Sequence, residues 1–329
     1  YTEVSIKCLS PLNKSMVPAP FYEQVYIPED GNEVCYIQED KWDAFVSALQ
    51  DKYFGNPDNY EDFHRMFMAA GKDYMETARA ISRNNLKEKS NDQLILLYED
   101  YLKKNYAYCP FVWMQFIINN FFAEKAKEII IGKVGESRAY AYIEVALKPE
   151  QKAASIQLND IAAKWETLSD KERTGLYENF KWIPCLDVHN KPWTKEEFFS
   201  HIEDFKKVEK KQQMTYEELV KELRLFHEEA KILEIARKLS YLKDLKDDFR
   251  RQGIFYAQNL FEEIGRRMGI GLQDISYITE EEITDFLENG NEISKNIILQ
   301  RKHGFAIYFN GERKIECKSG EDIARALDE

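Results

Sequence analysis

The chain has 329 residues, of which 44% are hydrophobic and 32% charged, and its formal net charge is −12 at pH 7. These values are typical of a globular protein with a substantial core. The negative charge argues against non-specific binding of nucleic acid or of a membrane surface, because both need a cationic face. Five scattered cysteines without a Cys-x-x-Cys pair favour reduced thiols in a cytoplasmic protein over disulfides or a zinc site.

The first third of the chain predicts a short β segment followed by helices. Two alternating runs in "EQVYIPEDGNEVCYIQ" predict a hairpin with a longer loop. Asp58 and Ser90 are placed to cap helices, and Gln93 completes a capping box with Ser90. Apolar residues at helical spacing predict helices over 39–54, 58–84, 90–106 and 110–131.

Gly132 and Gly135 interrupt the helical pattern, and we place a lobe boundary there. The chain is thereby divided into an N-terminal lobe, 1–134, and a C-terminal helical lobe, 135–329. Leucines and alanines between Leu219 and Leu242 recur at threes and fours, which predicts a coiled-coil-like seam. The helices expected in this lobe cover 155–168, 169–183, 195–211, 215–252 and 255–269, with a short one after Thr279. Thr194 with Glu197 and Thr279 with Glu282 form capping-box patterns.

The closing stretch, "GFAIYFNGERKIECKSGEDIARALDE", predicts a hairpin followed by an amphipathic helix. Asn310-Gly311 between two alternating runs is a strong signal for a tight turn, since both turn residues must adopt positive φ. Two strands alone are marginally stable, so this hairpin must pack on the helices or on something outside the chain. The expected fold is mainly α, with a long coiled-coil-like helix pair and a β-hairpin near each end.

The sequence carries no catalytic signature: the phosphate-binding GxxxxGK[ST] loop, the HExxH motif and the GxSxG motif are all missing. No catalytic residue and no metal ligand is therefore assigned. Two basic groups are candidates for substrate binding, namely Arg250 and Arg251 on the long helix, and Arg301, Lys302 and His303 before the closing hairpin. Arginine suits this role because it binds phosphate or carboxylate bidentately. The alternative for each group is structural ion pairing along its helix.

Three segments follow one another in the last third of the chain. They are "ARKLSYLKDLKDDFRRQGIFYAQNLFEEIGRRMGI", "DISYITEEEITDFL" and "RKHGFAIYFNGERKIECKSGEDIARAL". Together they resemble the region ahead of the mobile phosphohistidine domain in phosphoenolpyruvate-utilising enzymes, the group of phosphoenolpyruvate synthase, pyruvate phosphate dikinase and rifampicin phosphotransferase-like proteins. The resemblance covers about 90–329 and is clearest from Ala236 onward.

The resemblance implies a central helical acceptor-binding and scaffold domain of a phosphotransferase, inert by itself. The chain lacks the Gly-rich phosphohistidine sequence and an ATP-grasp domain, so both domains are expected partners, on the same chain or on a separate subunit. ATP and Mg²⁺ are implied for the full-length enzyme, with no cofactor held by this segment. A small-molecule acceptor is implied, and Arg250, Arg251 and Arg301 would screen the phosphoryl group in transit.

Two features of the termini agree with a segment of a longer protein. The first residue is Tyr1 instead of Met, and Glu329 falls where the carrier domain of these enzymes would begin. The alternative hypothesis comes from another class of protein. It is a stand-alone helical interaction or scaffold protein without phosphoryl chemistry, whose apolar seam and acidic faces dock partners.

Overall fold

The computed structural model describes residues 2–14, 16–29, 32–205, 214–310, 315–320 and 322–323. Within these residues it contains thirteen helices and four strands, so the protein is mainly α, as predicted. The helices are α1 (Thr2–Leu9), α2 (Glu39–Leu49), α3 (Asn59–Ser82), α4 (Asn91–Val134), α5 (Glu136–Leu147), α6 (Ala154–Lys164), α7 (Asp170–Phe180), α8 (Lys195–Phe205), α9 (Tyr216–Leu223), α10 (His227–Arg267), α11 (Leu272–Ile275), α12 (Glu280–Asn289) and α13 (Lys295–His303). The strands are β1 (Glu23–Glu29), β2 (Asn32–Tyr36), β3 (Phe305–Asn310) and β4 (Ile315–Ser319).

Three long helices, α3, α4 and α10, form the centre of the molecule and bury its largest hydrophobic core between them. Aromatic rings fill the interface: Tyr74 and Tyr108 stack with centroids 5.4 Å apart, and Phe249 lies 5.9 Å from Phe67. α4 and α10 form the long helix pair, although the sequence prediction placed both members after residue 215. No helix in the described ranges is both long and apolar enough to cross a membrane.

Several helix starts agree with their local sequence signals. In each case the cap side chain accepts a hydrogen bond from the third helical residue, whose side chain accepts one from the cap backbone. The confirmed pairs are Ser90 with Gln93, Thr194 with Glu197, and Thr279 with Glu282.

The helix break predicted before residue 110 is wrong, because α4 continues through Pro110. Proline has no N–H, so the carbonyl of Tyr106 one turn earlier loses its helical hydrogen bond. Nδ2 of Asn13 donates to that carbonyl at 3.3 Å and supplies the missing donor. A contact from a distant part of the chain therefore sustains a helix that its local sequence would interrupt.

The predicted long helix from 215 to 252 is also corrected. The helix is interrupted at Arg224, which has a left-handed backbone conformation with a φ of +47° and ends α9. α10 then begins at His227 and runs without interruption to Arg267, so the junction expected near residue 252 is absent. The leucines of the predicted seam are buried, namely Leu219, Leu223, Leu233, Leu239 and Leu242. Phe226, which lies between α9 and α10, is 73% exposed.

A four-stranded antiparallel sheet, in the order β2-β1-β3-β4, joins the two predicted hairpins. Its central pair is β1 with β3, in which Tyr26 lies opposite Ile307. A small apolar cluster of Ile6, Tyr26, Ile307 and Phe309 forms on this sheet against α1. The partner that the closing hairpin requires is thus the hairpin near the other end of the chain.

The register of the closing hairpin differs from the predicted tight turn. Phe309 pairs with Ile315, so residues 311–314 lie between β3 and β4, whereas an Asn310-Gly311 turn would pair Phe309 with Glu312. Residues 311–314 lie outside the described residues, as does most of the predicted amphipathic helix after Gly320.

α4 ends where the lobe boundary was placed, with Gly135 at a φ of +79°. The largest core includes side chains from both sides of that position, from Val4 to Ile298. A second core, formed by α6, α7, α8 and the segment between them, is separate from it. The division into lobes 1–134 and 135–329 stays a prediction.

Candidate functional site

A cavity of about 430 Å³ lies where α1, α4, α10, α12 and the start of β3 meet. This volume falls in the range of small-molecule sites in proteins. Its walls combine apolar side chains, such as Ile254 and Phe261 of α10, with polar and ionisable groups contributed by α1, α4, α12 and the loop around His189.

One face of α4 supplies the polar groups at the centre of the cavity. Tyr98, Tyr101 and Asn105 are spaced by three and four residues and therefore lie on the same side of the helix. The hydroxyl oxygens of Tyr101 and Tyr74 lie 2.9 Å apart and form a hydrogen bond. Asn105 is only 7% exposed, and its amide makes no hydrogen bond to the described residues. An amide that lines a cavity without a protein partner can form hydrogen bonds with a ligand or with water, so Asn105 indicates a site for one of them.

Carboxylates from two distant helices meet at one end of the cavity. Glu3 of α1 accepts a hydrogen bond from the backbone N–H of Glu280, at the start of α12, with a distance of 2.8 Å. Lys7 donates to the Glu280 carboxylate, and its Nζ lies 3.6 Å from Oε1 of Glu3. Burial, and then the negative charge of Glu280, raise the pKa of the Glu3 carboxyl to about 7.

A smaller cavity adjoins this end and shares Glu3, Tyr277 and Phe305 with the larger one. Arg301 lines it and is buried, at 7% exposed. Its guanidinium donates to both oxygens of Glu282, at 2.7 and 2.8 Å, and to the carbonyl of Tyr277 at 2.8 Å. Although burial acts in the opposite direction, these hydrogen bonds hold the pKa of Glu282 below its usual value. Arg301 therefore forms a bidentate ion pair with Glu282 inside the protein.

Arg250, Asp187 and His189 also line the cavity. Nδ1 of His189 lies 3.2 Å from Oγ of Ser276 and 3.8 Å from a carboxylate oxygen of Asp187. The side chains of His189 and Asp187 are 41% and 37% exposed, which locates them at the solvent edge of the cavity. The lining thus includes an arginine, an imidazole and a carboxylate.

The predicted site residues do not form one cluster. Arg250 lines the larger cavity and Arg301 the adjoining one, whereas Arg251, Lys302 and His303 line neither. Lys302 forms an ion pair with Asp274. Nδ1 of His303 lies 3.1 Å from the carbonyl oxygen of Leu299 within its own helix.

Arg251 lies on another side of α10, near Asp248 and Cys185. Burial raises the pKa of Asp248 to about 6, and Arg251 acts against that rise. Asp248 accepts a hydrogen bond from the backbone N–H of Ala154 at 2.7 Å. The structural ion pairing that was the alternative for the helix group stays a prediction for Arg251.

Sequence reasoning missed most of the residues that line the cavity. Asn105 had a local signal, since a polar amide stands on an otherwise apolar helix face. Glu3 and Glu280 had none, because 277 positions separate them.

A larger open cleft of about 1150 Å³ borders Glu280 from the other side. It is lined by exposed acidic side chains of α12, including Glu281 and Glu288, and by Lys103. Solvated charges of this kind need no ligand. The cavity with the buried Asn105 is therefore the stronger candidate site.

No protein-family model, curated protein or solved structure matches the chain.

Proposed function

We propose that this chain is the central helical acceptor-binding domain of a phosphotransferase of the phosphoenolpyruvate-utilising class. The observation that supports the proposal is the cavity of about 430 Å³, in whose wall the amide of Asn105 makes no hydrogen bond to the described residues. Such a cavity suits a small molecule held by a few polar groups among apolar walls.

The position of the cavity agrees with delivery of a phosphoryl group from a neighbouring domain. In the enzymes that the sequence resembles, the phosphohistidine domain follows the closing hairpin. Phe305, the first residue of β3 in that hairpin, lines the cavity. A carrier domain attached beyond β4 would therefore start close to the acceptor site.

The proposed transfer breaks the N–P bond of the phosphohistidine and forms an O–P bond to a hydroxyl of the acceptor. Arg250 would stabilise the negative charge on the phosphoryl oxygens. The hydroxyl proton needs a base, and His189 at the solvent edge of the cavity provides an imidazole for it. ATP and Mg²⁺ would act at the nucleotide domain of the full-length enzyme, which supplies the phosphohistidine.

The test uses the longest natural product of the gene. Incubation with Mg²⁺ and ATP labelled on the γ-phosphate should produce an acid-labile, base-stable phosphohistidine. Arg250→Gln should leave that labelling intact and slow the loss of label to a low-molecular-weight cell extract about tenfold or more. The matched control is Arg65→Gln, because Arg65 is an exposed arginine of α3 paired only with Asp62 on the surface.

A product that forms no phosphohistidine would overturn the proposal and favour the stand-alone scaffold protein instead. Equal transfer rates for Arg250→Gln and Arg65→Gln would remove Arg250 from the site.

A further inference from the structure

We infer that the cavity takes a ligand with an ammonium group on an apolar or aromatic body, the ammonium group lying against the carboxylates of Glu3 and Glu280. Naming this ligand as the phosphoryl acceptor rests on the proposed function, whereas the binding chemistry stands on the cavity itself.

The charges at this end of the cavity are unequal. Three carboxylates, those of Glu3, Glu280 and Glu282, face two cations, Lys7 and Arg301. Arg301 is held by both oxygens of Glu282, so within the described residues Lys7 is the one cation that forms ion pairs with Glu3 and Glu280. The side chains of Glu3 and Glu280 are only 12% and 14% exposed, and water screens their excess negative charge poorly.

Both carboxylates also keep an oxygen that lacks a donor at hydrogen-bond distance. Oε1 of Glu280 is buried and accepts no hydrogen bond from the described residues, although the Tyr106 hydroxyl lies near enough to interact with this carboxylate. Oε1 of Glu3 has the Lys7 ammonium at 3.6 Å, which is beyond a hydrogen bond. An ammonium group carries three donors and a positive charge, so it would satisfy both oxygens and neutralise the excess charge.

The rest of the cavity fits the body of such a ligand. Tyr98, 2% exposed, and Asn105 present polar groups that make no hydrogen bond to the described residues. Phe261 and Phe305 supply apolar walls, and aromatic rings also attract a neighbouring cation. An anionic group is disfavoured beside Glu3, because it would add a third negative charge to two carboxylates that share one lysine.

The affinity of an amine should depend on pH through Glu3. The groups that face Glu3 are Lys7 on its own helix, Glu280 on α12, Tyr98 and Tyr106 on α4, Arg301 on α13 and Cys317 on β4. As the pH rises through about 7, Glu3 loses its proton while an alkyl ammonium keeps its charge. Amine binding should therefore strengthen between pH 6 and pH 8.

The experiment compares phenethylamine with 2-phenylethanol, which have the same size and differ in the charged group. Titration calorimetry or ligand-observed NMR on this chain at pH 8 should show the amine binding at least fivefold more tightly. Glu3→Gln should abolish that preference, whereas Glu76→Gln, at an exposed position of α3, should keep it. Asn105→Leu, which places apolar volume in the cavity, should weaken both compounds.

Equal affinity for the two compounds, or a preference that survives in Glu3→Gln, would overturn the inference. Absence of binding by both at millimolar concentration would overturn it as well. The outcome is independent of the phosphohistidine assay: labelling without an amine preference removes only this inference, and an amine preference without labelling removes only the phosphotransferase.

Discussion

Two glycines set the distances between the central helices. A Cβ on Gly71 of α3 would lie 2.4 Å from the ring of Phe249, and one on Gly253 of α10 would lie 2.1 Å from the ring of Tyr74. Neither distance is compatible with a real contact, so both rings occupy space that only glycine leaves open. Tyr74 is 1% exposed and bonded to Tyr101, so its ring has little room to move.

We therefore expect Gly253→Ala to destabilise the protein by about 1–3 kcal/mol, since overpacking outweighs the gain in helix propensity. The matched control is Gly175→Ala in α7, where an added Cβ meets no atom within 4 Å. That variant should be stabilised by up to about 1 kcal/mol. Urea unfolding measures the free energy of unfolding of both variants. Equal changes in the two variants would show that the ring of Tyr74 can move aside at little cost.

Glu3 gives a stability that depends on pH. Its folded pKa of about 7 is above the usual value of 4.5, so the folded state binds the proton more tightly than the unfolded state. The contribution is fully present below about pH 4.5 and is lost as the pH rises through 7. Glu3→Gln, which keeps an acceptor for the Glu280 N–H, should therefore be more stable than the parent by about 3 kcal/mol at pH 8 and equal to it at pH 4.5.

Urea unfolding between pH 4.5 and pH 8 tests this dependence. Glu76→Gln serves as the control, because an exposed carboxylate should change stability by no more than about 0.5 kcal/mol at either pH. A constant difference between Glu3→Gln and the parent across this range would contradict the raised pKa.

Among the elements, the four-stranded sheet depends on contacts between the two ends of the chain. β1 and β3 are its central strands, and each has a neighbour on both sides. Tyr26 of β1 is 1% exposed and contacts the ring of Trp113 of α4 edge-on, with centroids 6.5 Å apart. One side chain thus joins the sheet to the central helices.

Tyr26→Ala should cost about 3–5 kcal/mol, as expected for the loss of a buried aromatic side chain. Tyr22→Ala is the control, because Tyr22 is 61% exposed just before the same strand and should cost no more than about 0.5 kcal/mol. The backbone amides of β3 should also exchange faster in Tyr26→Ala, but not in Tyr22→Ala. Unchanged protection of β3 in that variant would mean that the closing hairpin is stable without β1.

For the molecule as a whole, the two larger hydrophobic cores predict regions of different stability. The main core unites α3, α4 and α10, whereas α6, α7 and α8 bury their own smaller cluster around Trp165 and Phe198. A smaller apolar cluster supplies less free energy of folding, so we expect local opening of this region before global unfolding.

Hydrogen exchange followed by mass spectrometry on the unmodified chain checks this expectation. Peptides from α6 to α8 should exchange through openings of lower free energy than peptides from α3 and α10. Identical protection of both groups would indicate one cooperative unit, and a transition divided near residue 134 would support the two lobes expected from the sequence.

The sequence by itself determined many of the helical segments, where several begin, and that both hairpins exist, whereas it did not predict α1, α5 or α13. Those features depend on interactions between near neighbours, such as the capping boxes and the apolar spacing within one helix. The tertiary structure alone decided that Asn13 keeps α4 intact at Pro110, that β1 pairs with β3, and that Glu3 meets Glu280 beside Asn105. These outcomes depend on hydrogen bonds and burial between residues far apart along the chain, and no local pattern records which distant group supplies the partner.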